Sequence, residues 1–316
     1  MFPLPSFVSI PRAPAATTLP LPQLLGGMLV GARSVHAGSA PRSLWRAAAL
    51  FGRQLGWARE LRPWHDGSIP SLHDALKARP ALGSAMFRPY INSRWTPRQR
   101  LVAIEAHYRL LDGPTRVLGL APRERLTLAT VCVADATIDV TLDAPPWFNH
   151  EGELTLSLFS GTQRLYSVAF SLGSEPDARA AYIGALQGRG GAEALDVYRD
   201  LTHALHGLRP RELLLTAFRL VCQQAGVTRL LAISDACHTR RSDYFRASTK
   251  VSTSYDAVWH EHDGQLRADG FFELPVAVAR RAPESIPARK RSQYRRRYEM
   301  LDLLAADLTR ALRARG

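Results

Sequence analysis

The chain has 316 residues, 46% of them apolar, and carries 41 basic against 28 acidic side chains, a net charge of +13 with a pI near 10.4. That is enough for one large domain or two ordinary ones with a sizeable core, and the charge favours anionic partners: nucleic acid, acidic lipid head groups or a phosphorylated small molecule. Three cysteines, Cys132, Cys222 and Cys237, are too few and too far apart for a disulfide framework or a structural zinc site, and no run reaches the ~18–20 apolar residues of a membrane span.

Residues 1–22 hold six prolines, and residues 1–42 read as a disordered, Pro-rich leader. The apolar run 19–30 has the outline of a secretory signal. Only Arg12 precedes it and Pro20 and Pro22 interrupt it, so a cytoplasmic location is expected. Leu44, Ala48, Phe51, Leu55 and Ala58 fall on one stripe and predict a helix over 43–61. Ser71 is placed to cap a short helix that ends near Ala78 before Pro80. Thr96-Pro97 is an N-cap and N1 pair, and its helix runs to 111, where Asp112-Gly113-Pro114 stops it.

The pattern changes after residue 120. Short strands are predicted over 126–133, 138–142, 154–159, 165–172 and 180–186, split by turn residues such as Glu151-Gly152 and Gly161. Helices over 192–205 and 210–225 follow, the second stopped by Gly226. A buried strand over 228–233, a strand over 271–278 and a long helix over 292–312 complete the chain. The expected class is α+β: the leader, a helical N-terminal region over 43–115, and a mixed, mainly antiparallel α/β domain over 116–316 that ends in a basic amphipathic helix.

Five constellations carry chemistry. Gln187, Gly188, Arg189 and Gly190 lie where a strand ends, glycines cluster and a helix begins, which is how backbone N–H groups are aimed at a phosphate. Gln187-x-x-Gly190-x-Ala192 also reads as the pyrophosphate loop of an acyl-coenzyme A-dependent transferase. Glu193 and Asp196 would repel a phosphate there, so a plain tight turn competes with the cradle. The rival cradle is His206-Gly207-Leu208-Arg209-Pro210-Arg211, with two arginines at a new helix N-terminus; alternatively these arginines cap carbonyls and pair with Glu212. His203 and His206, one helical turn apart, could share a metal, but no third ligand lies nearby and no metal is expected.

Asp235 and His238 follow a buried strand and are placed like a general base with its orienter, while Cys237 beside them reads as packing. Tyr255 is a candidate general acid with Asp256, and Trp259 and Glu261 are candidates for substrate contact; packing is the competing reading for Tyr255 and Trp259. The run 289–297 holds six cations and no acid, on a helix whose apolar face carries Tyr294, Tyr298, Leu301, Leu304 and Leu308. It suits anionic lipid or nucleic acid, or else is a solvated face.

Taken together, Phe87-Arg88-Pro89-Tyr90 to Trp95, His107-Tyr108, the 183–188 strand and His206-Gly207-Leu208-Arg209-Pro210 resemble the VirK/YbjX family of bacterial proteins. So do Tyr255-Asp256-x-x-Trp259-x-Glu261 and Lys290-Arg291-x-x-Tyr294-Arg295-Arg296-Arg297-Tyr298. The resemblance spans about residues 43–305. It implies a part in virulence, envelope integrity or tolerance of cationic antimicrobial peptides in Gram-negative bacteria, and assigns no catalytic residue. Arg88 and Tyr90, in its first motif, join the substrate-contact candidates.

The order of strands and helices is similar to that of GNAT-type acyltransferases, an analogy of fold that does not fix function. The leading expectation is an acyl or aminoacyl transferase acting on a peptide, protein or envelope precursor. Acyl-coenzyme A or an aminoacyl carrier would be the donor, and nucleic acid enters only as that carrier. In this scheme Asp235 and His238 deprotonate an amine, Tyr255 protonates the leaving group, and backbone N–H groups where two strands splay hold the oxyanion. The alternatives are a non-catalytic envelope factor docking on anionic lipid through the basic C-terminal helix at Arg289–Arg297, peripheral at the inner membrane, and a metal-dependent modifying enzyme using His203, His206 and His238.

Overall fold

The computed structural model describes residues 19–133, 136–191, 193–245 and 254–316. Five helices come first: α1 (Leu21–Val35), α2 (Pro41–Leu55), α3 (Ala58–His65), α4 (Pro70–Ala78) and α5 (Pro97–Leu111). Then follow β1 (Arg125–Val133), β2 (Ala136–Asp143), β3 (Leu154–Ser160), β4 (Gln163–Glu175) and β5 (Ala178–Gly188). The remaining elements are α6 (Ala194–Ala204), α7 (Pro210–Gln224), β6 (Arg229–Ile233), α8 (Tyr255–Glu261), β7 (Gln265–Leu266), β8 (Phe271–Leu274) and α9 (Arg291–Arg313).

The described part of the predicted leader is helical. Pro20 and Pro22 do not interrupt α1; Pro20 is its N-cap and Pro22 stands in its first turn, where a missing N–H costs nothing. Leu24 and Met28 bury one face, and Gly31 comes so close to the Pro80 carbonyl that a Cβ would stand 3.1 Å from it. Residues 1–18 of that leader lie outside the described residues. The single helix expected over 43–61 is two, parted at Gly56-Trp57. Ser71 does not cap α4: its backbone N–H donates to Asp112 (3.0 Å) and its hydroxyl to the Tyr108 carbonyl (3.0 Å), tying α4 to the end of α5. Thr96 does cap α5, in a reciprocal capping box with Gln99.

The eight strands form one sheet in the order β1-β2-β3-β4-β5-β6-β8-β7. Every neighbouring pair is antiparallel except β5 and β6, which the α6–α7 crossover makes parallel. This is the mixed, mainly antiparallel α+β arrangement expected. The middle of β4 is buried on both faces. Phe170 meets Phe218 of α7 edge to face at 4.9 Å, while Ser171, pointing the other way, bonds Tyr90 (2.7 Å). β8 ends at Leu274, short of the expected 278, because Pro275 cannot continue the ladder. One connected hydrophobic core runs from Leu24 to Leu312. Among the described residues, no helix is long and apolar enough to cross a membrane.

Candidate functional site

The parallel pair is short. β5 and β6 are in register only from Ala180↔Arg229 to Ile183↔Ala232, after which they part. Gly184 stands at the fork and must be glycine: a Cβ there would lie 2.0 Å from the Glu151 carbonyl. Three aromatic rings stack beside the fork, His238 on Tyr255 at 5.0 Å and Tyr255 on Trp259 at 5.9 Å. Trp259 donates Nε1–H to the Ile233 carbonyl (2.8 Å), fixing the stack to the end of β6.

The loop before α5 closes this region. Asn92 forms a bridge with His238, the Ser93 N–H donates to the Cys237 carbonyl (2.8 Å), and Asn92 Nδ2 reaches the Asp269 carbonyl (3.2 Å). Ile91 is held at φ +50, a costly position for a β-branched residue, by its N–H bond to the His150 carbonyl (2.7 Å). Gly270 is packed so closely on Cys237 that a Cβ would stand 2.4 Å from the sulfur.

The polar groups here are buried and only partly paired. Glu151 is enclosed; its Oε1 meets the Thr239 hydroxyl and Arg240 Nε, both at 3.5 Å, and its Oε2 has no hydrogen-bond partner among the described residues. Burial raises its pKa, against the opposing pull of Arg240. His238 is driven down to about 4, first by burial and then by the Arg240 charge, so it is neutral at physiological pH. Its Nδ1 accepts the Arg240 backbone N–H (3.2 Å), which places the ring proton on Nε2. That Nε2 is buried beside the Gly184 main chain without a hydrogen bond of ordinary geometry. Tyr255 is pushed up to about 12 by burial, with the Leu186 main chain at its hydroxyl opposing the shift, so the phenol stays protonated.

This geometry changes the roles expected from sequence. Asp235 does not orient His238. Its carboxylate caps α8, accepting from the Tyr255 N–H (2.9 Å) and the Ser254 hydroxyl (2.8 Å). Asp256 returns the contact by accepting from the Asp235 N–H (2.7 Å). Both acids are therefore spent on holding Tyr255 in place. With Nδ1 as an acceptor, His238 is an N–H donor and not a base.

Tyr90 and Trp259 are enclosed and occupy packing positions. Arg88 is largely buried and donates to the Ala81 carbonyl (2.9 Å). Glu261 is outside the fork, ion-paired to Arg211.

Neither expected phosphate loop is a ready cradle. β5 runs on through Gln187 and Gly188, and the Arg189 N–H already donates to the Leu165 carbonyl (2.8 Å) and the Tyr198 hydroxyl (2.5 Å). Gly190 has open space where a Cβ would stand, so an anion could approach the main chain there but not at Arg189; Ala192 lies outside the described residues. At the other loop, Gly207 packs on Gln293, and the His206 carbonyl accepts two bonds from Arg297 (3.1 and 2.7 Å). Arg211 is bound to Glu212 (3.2 Å) and Glu261, which leaves Arg209 exposed and unaided. Among the described residues, no group of three or more His, Cys, Asp or Glu could hold a metal.

A second polar cluster lies two residues along the same loop. Glu153 accepts from Arg79 (2.9 Å) and Tyr108 (2.7 Å), and its backbone N–H donates to Ser171 (3.0 Å). The Arg79 guanidinium also donates to the Tyr108 oxygen (2.7 Å). His107 accepts the Leu172 N–H (3.0 Å), and burial lowers its pKa to about 4. These residues floor a cleft of about 700 Å³ between α4, α5 and the start of β3. Glu151 and Glu153 escaped sequence analysis because Glu-Gly-Glu between two strands looks like a turn. The presence of two acids flanking a glycine was the available signal.

A family profile described as "Protein of unknown function (DUF535)" matches residues 40–310, and the chain belongs to that family. Within it, the uncharacterized protein YbjX of Escherichia coli (strain K12) is 30% identical over 279 residues, covering 85% of this chain and 82% of its own. An uncharacterized protein of Haemophilus influenzae is 27% identical over 229 residues, 69% of this chain and 73% of its own. The VirK/YbjX resemblance is thus established across most of the chain. No solved structure matches it.

Proposed function

We propose that the protein is a group-transfer enzyme of the acyl- or aminoacyl-transferase type, with its reacting centre at the β5–β6 fork. The observation that carries this is that Glu151 Oε2 and His238 Nε2, two buried polar atoms without a hydrogen bond of ordinary geometry, belong to residues that both lie against the Gly184 main chain. Buried groups left unpaired in a folded chain call for an explanation, and a functional site supplies one.

The roles follow from the protonation states. Glu151, its pKa raised by burial, takes the proton of an attacking amine. The new C–N bond forms as the bond from the acyl carbon to its carrier breaks. The His238 Nε2–H donates to the oxygen that gains charge, a task a neutral imidazole performs. The Tyr255 hydroxyl gives its proton to the departing carrier atom. The strand order, in which β8 lies between β6 and β7, and the parting of one parallel pair support a GNAT-like reading of the sheet. The open main chain at Gly190 is where the phosphates of acyl-coenzyme A would approach.

The test is a thermal-shift and calorimetric titration with acyl-coenzyme A compounds and aminoacyl-tRNA. Stabilisation by one donor class is expected, with transfer from that donor to an amine acceptor lost in Glu151→Gln and Tyr255→Phe. No stabilisation at millimolar acyl-coenzyme A and micromolar aminoacyl-tRNA sinks the proposal.

A further inference from the structure

A soluble helix normally buries its apolar stripe and exposes its polar one. α2 does not. Ala47, Leu50 and Gln54 face inward, while Leu44, Trp45, Ala48, Gly52 and Leu55 form an exposed apolar stripe at helical spacing. α1, packed beside it, likewise exposes Leu29 and Val30 next to Gly26. Eleven large hydrophobic side chains are exposed among the described residues, and six of them, Leu21, Leu29, Val30, Leu44, Trp45 and Leu55, stand on these two helices. Scattered exposed apolar residues need no explanation, but such a concentration does. Trp45 is 71% exposed, the position of a side chain waiting for a partner.

The charge around this face is one-sided. Residues 1–59 contain no Asp or Glu, while α1 and α2 carry Arg33, Arg42, Arg46 and Arg53. All four are exposed, and none is ion-paired to a carboxylate among the described residues. On α2, Arg42, Arg46 and Arg53 line one flank of the apolar stripe. Apolar side chains with a tryptophan, bordered by unpaired arginines and free of acids, suit an anionic bilayer surface: the apolar groups enter the head-group boundary and the cations stay with the phosphates.

The basic start of α9 differs. Arg289, Lys290, Arg291, Arg295 and Arg296 are exposed, yet Tyr294 and Tyr298 between them are half-buried, so this segment offers charge without an inserting face. Arg297, counted with it in the sequence, is turned inward to the His206 carbonyl.

We infer that the α1–α2 pair is a membrane-docking element that seats the protein on anionic lipid, independently of the chemistry at the β5–β6 fork. The test is co-sedimentation of the full chain with vesicles of 30% phosphatidylglycerol in phosphatidylcholine, compared with phosphatidylcholine alone. Binding to the anionic vesicles at least about tenfold tighter is expected, with loss of about tenfold or more in Val30→Ser/Leu44→Ser/Trp45→Ser. These side chains are exposed, so the triple variant should keep its melting temperature, and a circular dichroism melt checks this. Quenching by brominated lipid should be reduced in Trp45→Phe. Arg295→Gln/Arg296→Gln should leave binding within about twofold. The inference is overturned if the triple variant binds as the parent does, if the α9 variant alone abolishes binding, or if the parent ignores vesicles and forms a dimer that Trp45→Ser dissociates.

Discussion

Glu151 and Glu153 sit on either side of one glycine in the loop that enters β3, and their surroundings differ. Glu153 is held by two short bonds on one oxygen, Oε2, from Arg79 (2.9 Å) and Tyr108 (2.7 Å). Glu151 has two contacts at 3.5 Å and one oxygen without a partner, and at the same fork the His238 Nε2 lies against the Gly184 main chain without a hydrogen bond of ordinary geometry. A saturated buried network rigidifies a fold, and removing one member leaves charge stranded. An unsaturated one stores binding capacity, and removing its charge relieves a burial cost. The contrast divides one polar seam into a structural end, toward Arg79, and a working end, toward His238.

The largest effect is expected with pH, and it tests what the two ends share. His107 at the structural end, and His150 and His238 at the other, all have pKa values lowered to about 4, in each case chiefly by burial. Above the ordinary value of 6.5 the rings are neutral in both folded and unfolded chains, and their contribution to stability is fully present. As pH falls from 6.5 toward 4, the unfolded chain takes up protons that the native chain refuses. Stability drops by up to ~4 kcal/mol per pH unit for three such rings. Denaturant unfolding at pH 7, 6, 5 and 4 should show this slope, and His107→Gln should remove about a third of it. A flat profile over that range contradicts the buried neutral rings.

Next comes the well-paired end. Glu153→Gln strands the Arg79 guanidinium, which Tyr108 and then Glu153 hold above its ordinary pKa against the cost of burial, and should cost about 3–5 kcal/mol. Gly184→Ala, which drives a Cβ into the Glu151 main chain, should cost about 1–3 kcal/mol and disturb the fork itself. Tyr108→Phe removes one buried donor to Glu153 and should cost ~1–2 kcal/mol. A Tyr108→Phe variant as stable as the parent would show that the Arg79 end is not the framework.

Much of the fold was legible from residues 96 to 233. The Thr96–Gln99 box, Gly226 at φ +67 and the alternating strands are local devices that the chain spells out. Where local rules misled, tertiary contacts decided. Pro20 and Pro22 looked like breakers and proved to open α1, because Leu24 and Met28 had a core to enter. Gln265–Leu266 forms a strand only because β8 is there to pair with it.

The site was half legible. The 234–241 segment follows the end of β6, as the sequence placed it, and Tyr255 opens the helix that was one of its two expected settings, but the contacts that join the two segments are not encoded in their spacing. Asp235 lies three residues from His238, but its carboxylate is claimed by the N-terminus of α8, twenty residues on. Glu151 reaches His238's surroundings only through the sheet, a relation that no spacing encodes.

The division of the seam is tested most directly by measuring the two isosteric variants side by side. Glu151→Gln should keep the unfolding free energy within ~1 kcal/mol of the parent, since it removes a poorly paired buried charge, and should abolish transfer to an amine from whichever acyl donor stabilises the parent. Glu153→Gln should lose several times more stability. If Glu151→Gln proves as destabilising as Glu153→Gln, or leaves that transfer intact, then Glu151 belongs to the framework and the β5–β6 fork is not the working end.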